Sequence, residues 1–357
     1  MKAMILYNVN DFRLEEAETP VPDADEVLVE VRAAGICGSD IPRVYETGTY
    51  SYPLIPGHEF AGVVIGTGSS GDTCWLGKRV GVFPLIPCKT CIPCRNRQYE
   101  MCRHYSYLGS RRNGAFAEYV TVPGENLIEL PDGVSFEAAA MLEPMAVAVH
   151  AMRRISPAAT DVVAVCGLGT IGLLLIMFLR EAGIRNILAV GNKEGQRRLA
   201  GELGILEDAY CDSRTVNADE WLMEKTGGTG ANAFFECVGK KETVAQAIKS
   251  SAPGGRICLV GNPESDMLLE KEVYWKILRS QLTLTGTWNS SFIQDAKDDW
   301  HYVLERLATG KVKPEKIISH QFPLEELMQG FHIMRDKTED YGKIMCIQKN
   351  EKILKQP

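Results

Sequence analysis

Cys88, Cys91, Cys94 and Cys102 follow the spacing C-x2-C-x2-C-x7-C in a loop rich in proline and arginine. Four thiolates this close in sequence can surround one tetrahedral zinc and leave no coordination position open, which makes the site structural. An iron–sulfur cluster is the competing occupant, but the proline that would follow the fourth cysteine is missing. A second set is scattered: Cys37 in Cys37-Gly38-Ser39-Asp40, His58 in Gly57-His58-Glu59, and Glu143 in Glu143-Pro144. A thiolate, an imidazole and a carboxylate provide three ligands and leave the fourth position for water or substrate, as a catalytic zinc requires. Each of these residues taken alone is weak evidence, since a lone cysteine or histidine is usually packing. A zinc so held lowers the pKa of a bound hydroxyl and prepares its carbon to give up a hydride. Ser39, adjacent to a ligand, is the first candidate for carrying the proton away and Glu59 the second. Ser39 reads equally as a turn hydroxyl bonded to its own backbone.

A hydride needs an acceptor, and Gly167-Leu168-Gly169-Thr170-Ile171-Gly172 is a G-x-G-x-x-G that follows an apolar strand and opens a helix. In that setting the first glycine permits the tight turn, the second lets the backbone approach a pyrophosphate, and the third allows close helix packing. The pyrophosphate lies at the positive end of the helix. The next strand, ILAV, ends in Gly191, where NAD enzymes carry an acid for the ribose hydroxyls. Asn192, Lys193, Arg197 and Arg198 follow, so the sequence favours NADP over NAD, with Lys193 or Arg198 pairing a 2′-phosphate. The alternative is that these cations are the solvated face of a helix. Val238, Val260 and Gly261, at the ends of ANAFFECVG and GRICLVG, join the cofactor set. For a phosphorylated substrate, Arg111 and Arg112 in GSRRNG and Arg43 after Cys37 offer guanidinium forks. They read equally as surface cations.

These groups must be positioned by a chain of 357 residues, longer than one core usually supports, so two domains with a cleft for a small molecule between them are expected. Up to about residue 150, VLVEVRAAGI, FAGVVIG, KRVGVFPL and AEYVTV are short valine-rich runs divided by turns, which suggests a closed or sandwiched β domain. From about 155, strands alternate with helices, the pattern of a parallel sheet covered by helices. LTLTGTWN reads as a further strand, and the tail supplies a helix in DAKDDWHYVLERLATG and a strand in GKIMCIQ that return to the first domain. The expected division is 1–153 with 290–357, and 154–289. The uncharged stretch from Val162 to Leu179 is broken by glycines into strand, turn and helix, so it is not read as a membrane span. In MKAMILYNVNDFRLEE, Asp11 and Arg13 arrive too early for a secretory core, and the segment reads as a strand and hairpin. A net charge of −7 without a long basic run argues against nucleic acid and acidic membrane surfaces as partners. Eleven cysteines, an odd number with no secretion signal, point to a reducing, cytoplasmic setting and to metal ligation rather than disulfides.

Cys37-Gly38-Ser39-Asp40, Gly57-His58-Glu59-Phe60-Ala61-Gly62, the four-cysteine loop and GLGTIG occur in the order and spacing of zinc-containing medium-chain alcohol dehydrogenases, and the chain resembles that family over essentially its whole length. Glu143-Pro144, where many alcohol dehydrogenases have a cysteine, is similar to the polyol branch, which includes sorbitol and threonine dehydrogenases. CGSDIPRVYETG, LGSRRNGAFAEYV, EPMAVAVHA and GTWNSS, the last with Trp288 and Asn289 in the substrate set, are similar to its polyol-phosphate members. The resemblance implies a GroES-like β domain carrying two zincs, one catalytic and one structural, and a Rossmann doubly wound parallel-sheet domain. It also implies a homodimer or homotetramer, a polyol or sugar-phosphate substrate, and entry of Glu59 into the zinc shell by exchange. The polyol-phosphate members favour NAD, with an acid at the position of Gly191, so the residues and the resemblance differ on the cofactor. Sorbitol, threonine and pentitol-phosphate chemistry stay open at this point. So does a cofactor-binding protein without activity, although an intact Cys37, His58 and Glu143 set argues against it.

Overall fold

The computed structural model describes residues 1–263 and 265–348. The chain forms two compact units, Met1–Glu143 with the segment from Ser291 onward, and Pro144–Ser290. The division falls at Glu143/Pro144, inside the helix Leu142–Ile155, rather than after residue 153.

The first unit is a GroES-like β domain. Its seven-stranded sheet runs in the order Ile318–Phe322, Lys343–Ile347, Glu26–Gly35, Glu59–Thr67, Arg79–Val82 and Leu127–Glu129, with Tyr119–Pro123 also pairing to Glu26–Gly35. Glu26–Gly35 is covered on both faces, which is why EVLVEVRAAG is buried along almost its whole length instead of alternating. Val27, Val29, Val31, Val64, Val80 and Val82 build the core. The helix Leu327–Asp336 drives Phe331 into that core, edge-on to Phe12 and Phe116 at 5.1 and 5.8 Å. The amino-terminal segment is the expected hairpin, Lys2–Asn8 against Asp11–Glu16.

The second unit is a Rossmann domain, a six-stranded parallel sheet in the order Tyr210–Asp212, Ile187–Gly191, Val163–Cys166, Ala231–Glu236, Ser251–Leu259 and Thr283–Gly286. In chain order this is 3-2-1-4-5-6, whose direction reverses between Val163–Cys166 and Ala231–Glu236, and ligands of such sheets bind at the carboxyl ends of the strands beside that reversal. The helix Thr170–Glu181 packs on the sheet with Gly172 through Leu179 all buried, which explains the uncharged stretch. Among the described residues no helix is long and apolar enough to cross a membrane.

Candidate active site

The four-cysteine loop folds back on itself through Lys89 and Arg97, both with positive φ, and a short helix Ile92–Arg95 that starts after Cys91. All four sulfurs lie within 4.8 Å of one another. Cys91 and Cys94 are 3.4 Å apart, Cys88 and Cys94 4.0 Å, and Cys91 and Cys102 3.9 Å. A tetrahedron with Zn–S bonds of about 2.3 Å has sulfurs about 3.8 Å apart, so the donor set fits that ion. Donors from Thr90 pull the Cys88 thiol down to about 5, whereas burial pushes Cys94 up to about 12. Only a cation among them lets all four sulfurs be thiolates at once.

The second group is assembled by sheet register. Gly35 pairs with Glu59 on one side and with Met345 on the other, which sets Cys37, His58 with Glu59, and Lys343 at one end of three neighbouring strands. A Cβ at Gly35 would collide with the Glu59 carboxylate and with Lys343 Cε, so this crowding demands glycine. Gly57 has φ +98°, and a Cβ there would meet Phe116 at 2.9 Å; the turn it makes aims His58 inward. Ligand atoms of Cys37, His58 and Glu59 lie within 4.8 Å of one another. His58 Nδ1 is buried without a hydrogen-bond partner, 3.7 Å from Asp40 Oδ1. An imidazole and a thiol converging beside buried acids form a donor set that suits zinc.

Sequence reasoning placed Glu143 in this trio, whereas the carboxylate within 4.8 Å of Cys37 and His58 is that of Glu59. Glu143 begins the helix Leu142–Ile155 and accepts a hydrogen bond of 3.1 Å from Tyr107 Oη. Burial first, and Glu59 with it, pushes the Glu143 carboxyl up to about 7. Burial, then Glu59 and Asp40, push the Cys37 thiol up to about 12. Ser39 directs its hydroxyl at Cys37 Sγ, 3.3 Å away.

Two buried groups and one half-buried ring here escaped sequence reasoning. Lys343 is 2% exposed and ion-paired to Glu59; burial lowers its pKa, but Glu59 and Cys37 raise it by more. Asp40 is fully buried, receives the Cys37 N–H at 3.0 Å and pairs with Arg43. Tyr107 stands edge-on to His58 at 5.7 Å. The charged Asp40 in CGSD was a visible signal, but nothing in GKIMC marks its lysine as buried.

The arginines sort differently from expectation. Arg43 and Arg112 are committed to the buried carboxylates Asp40 and Glu26. Arg111 is exposed, with its guanidinium between the rings of Tyr50 and Tyr105 at 4.2 and 4.5 Å. Trp288 and Asn289 belong to the second unit, where Trp288 is exposed and Asn289 caps the N–H of Ser290.

In the second unit, Gly167 has φ +93°, and a Cβ on it would meet Val238 Cγ2 at 2.6 Å. Gly172 packs against the carbonyl of Gly167, while a Cβ on Gly169 would have nothing within 4 Å. Gly169 precedes Thr170 and Ile171 at the start of a twelve-residue helix, so the open space at Gly169 lies at the positive end of that helix, a cradle that fits a pyrophosphate. Gly191 ends its strand, and a Cβ on it would meet Tyr210 Oη at 2.7 Å and Gln196 Oε1 at 3.0 Å. Asn192 donates its N–H to Gln196, Lys193 precedes the helix Glu194–Glu202, and Arg198 is exposed. Arg197 is held by Glu207, which removes it from the phosphate candidates.

Comparison with known proteins agrees with these geometries. The alcohol dehydrogenase GroES-like domain family matches residues 23–132, and the zinc-binding dehydrogenase family matches 170–309. Galactitol 1-phosphate 5-dehydrogenase of Escherichia coli (strain K12) is 32% identical over 97% of this chain and 100% of its own. L-threonine 3-dehydrogenase of Bacillus subtilis (strain 168) is 31% identical over 92% of this chain and 94% of its own. Among solved structures, galactitol-1-phosphate dehydrogenase from Escherichia coli superposes with a TM-score of 0.90 at 30% identity, covering 98% of this chain and 100% of the other. A zinc-binding dehydrogenase from Sinorhizobium meliloti 1021 bound to NADP gives 0.88 at 27% identity, covering 97% and 99%. A thiol, imidazole and acid gathered at one end of a GroES-like sheet and a dinucleotide turn on a Rossmann sheet therefore have full-length counterparts, and the chain belongs to the zinc-binding alcohol dehydrogenase family as an NAD(P)-dependent enzyme.

Proposed function

We propose that this enzyme interconverts a secondary alcohol and a ketone on a polyol phosphate, with galactitol 1-phosphate as the reference substrate and NADP as the preferred cofactor. The reading is carried by the convergence of Cys37, His58 and the Glu59 carboxylate within 4.8 Å, with the buried Glu143 carboxylate held beside them by Tyr107. Cys37, His58 and Glu143 would hold a catalytic zinc, and Cys88, Cys91, Cys94 and Cys102 a structural one. Glu143 is chosen over Glu59 on charge: Glu59 already has Lys343 as counter-ion, whereas the direct partner of Glu143 is a neutral tyrosine hydroxyl. Glu59 remains the ligand that exchanges in.

When bound, the zinc would supply Lewis acidity to the substrate hydroxyl and the nicotinamide a hydride acceptor for its carbon. Ser39 Oγ, 3.3 Å from Cys37 Sγ, would relay the departing proton, accepting it while passing its own hydroxyl proton on to solvent; the Glu59 carboxylate is the second candidate acceptor. Asp40 fixes the Cys37 backbone by accepting its N–H and stands 3.7 Å from His58 Nδ1, so it orients one ligand by a hydrogen bond and faces the other with its charge. Tyr107 holds Glu143 by its hydroxyl and packs its ring on His58. The test is nicotinamide absorbance over galactitol 1-phosphate, a pentitol phosphate, the free polyols, sorbitol and L-threonine, each with NAD and NADP. A phosphorylated polyol is expected to give the highest kcat/KM; a higher value for L-threonine, or no turnover of any polyol, would overturn the reading. Metal analysis should give about two zincs per chain.

Arg111 is the proposed phosphate group, because its guanidinium is held by two rings and no carboxylate. Tyr105 links it toward the site, its ring 6.2 Å from that of Tyr107. Arg111→Ala should raise KM for the phosphorylated substrate by about tenfold or more and leave the free polyol unchanged. An equal effect on both would remove Arg111 from phosphate recognition.

For the cofactor, the missing acid at Gly191 and the exposed Arg198 support NADP. Gly191 has no positive φ, so an acid is accommodated if Tyr210 shifts its hydroxyl. Gly191→Asp should therefore lower kcat/KM with NADPH by about tenfold or more through repulsion of the 2′-phosphate and improve NADH. A wild-type enzyme that already prefers NADH would refute the assignment.

The free state of all eleven cysteines suits a reducing compartment, and we place the enzyme in the cytoplasm. We also assign it a homo-oligomeric state, checked by its mass in solution: the outer strand Thr283–Gly286 has one unpaired edge in the sheet, and the helix Lys271–Arg279 exposes Tyr274, Trp275 and Leu278.

A further inference from the structure

Glu236 is a buried acid in the second unit, only 1% exposed, and no step above uses it. It is the last residue of Ala231–Glu236 and pairs in register with Cys166, the residue before the dinucleotide turn. Its Oε1 accepts the N–H of Val238 at 2.8 Å, the N–H of Gly239 at 2.9 Å and the hydroxyl of Thr243 at 2.8 Å. Its backbone carbonyl accepts the N–H groups of Val260 at 2.8 Å and Gly261 at 3.0 Å. One residue thus holds the loop after its own strand with its side chain and the loop after the next strand with its main chain.

Those loops are packed without slack. A Cβ on Gly239 would collide with the carbonyl of Asn262, and one on Gly261 with the backbone of Gly239. Val238 in turn lies against Gly167, so the position of the Val238 loop sets the wall of the pyrophosphate turn. A buried carboxylate is costly unless its oxygens are satisfied, and here three donors on a single oxygen offset that cost while fixing the loop. An amide oxygen in the same place accepts the same donors more weakly.

We propose that Glu236 is a cofactor-positioning residue: through Val238, Gly239 and Thr243 it clamps the loop after Ala231–Glu236 against the dinucleotide turn. It touches no reacting atom and acts on affinity for the dinucleotide. The inference rests on the reading of the Gly167–Gly172 turn as the cofactor site, and binding by the unmodified enzyme tests that reading separately.

The experiment titrates NADPH and NADH into the zinc-loaded enzyme by fluorescence and measures KM for cofactor and for alcohol in the same preparations. Glu236→Ala should raise Kd and KM for the cofactor by about tenfold, leaving zinc content and the KM for alcohol at saturating cofactor unchanged. Glu236→Gln should recover most of the affinity, and Thr243→Val should weaken it by about threefold. Unchanged cofactor affinity in Glu236→Ala overturns the proposal. So does a loss shared equally by cofactor KM, alcohol KM and zinc content, which would mark general structural damage. If Glu236→Ala does not fold, Thr243→Val decides: a raised cofactor Kd supports the clamp and an unchanged one overturns it. If the unmodified enzyme binds neither dinucleotide, the turn itself has been misread.

Discussion

Cys37→Ser is expected to remove turnover by more than about a thousandfold while the dissociation constant for NADPH stays at the unmodified value. The reasoning starts from the sulfur. Burial and the neighbouring Glu59 and Asp40 hold the Cys37 thiol up at about 12, so the protein alone keeps it protonated. A divalent cation reverses that balance, because a coordinating thiol gives up its proton and becomes an anionic ligand. A serine hydroxyl resists the same ionisation, and His58 is left with a carboxylate and no thiolate partner. The dinucleotide turn belongs to the other unit, so cofactor binding should be spared. Zinc content should fall from about two per chain to about one, the four-cysteine site keeping its ion. Retained activity at full zinc content would falsify the ligand assignment. A Cys37→Ser enzyme that loses both zincs would mean instead that the two sites are not independent.

What the sequence made legible, and what it hid, follows from how far each signal reaches along the chain. The four cysteines and Gly167-Leu168-Gly169-Thr170-Ile171-Gly172 are local motifs, complete within a single loop and a single turn, so spacing alone identified the geometry that the structure places there. Cys37 follows one strand and His58 precedes another, and they meet through the pairing of Gly35 with Glu59, which a linear reading cannot see. Arg111 and Arg112 are adjacent and alike in sequence. Their different surroundings, the rings of Tyr50 and Tyr105 for one and Glu26 for the other, depend on Tyr50 and Glu26, each more than fifty positions away. Glu236 left a readable trace, an acid ending the apolar run AFFE, where a charge buried in a parallel strand must have partners. Lys343 left none. In GKIMCIQ it looks like a solvated lysine entering an edge strand, and its strand is in fact covered by neighbours on both sides.

That hidden lysine supports the largest stability change expected of a single substitution. Lys343 and Glu59 are each 2% exposed at the side chain, and together they form the ion pair behind Cys37. A buried pair contributes little beyond what a well-packed apolar pair would, since both charges were taken out of water. Breaking it is different, because removal of one partner strands the other charge in a medium that cannot solvate it. Lys343→Met, close in volume, should therefore cost about 3–5 kcal/mol, read from denaturant unfolding of the zinc-loaded protein with a probe in the first unit. Lys343→Met combined with Glu59→Gln should recover most of that loss, because the stranded charge is gone and the amide can be hydrogen-bonded or hydrated. The sign of this coupling discriminates between causes. If the double variant is as unstable as Lys343→Met alone, lost packing around Gly35 explains the effect. If Lys343→Met costs less than about 1 kcal/mol, Glu59 has found another cation, and the ion beside Cys37 and His58 is the one within reach.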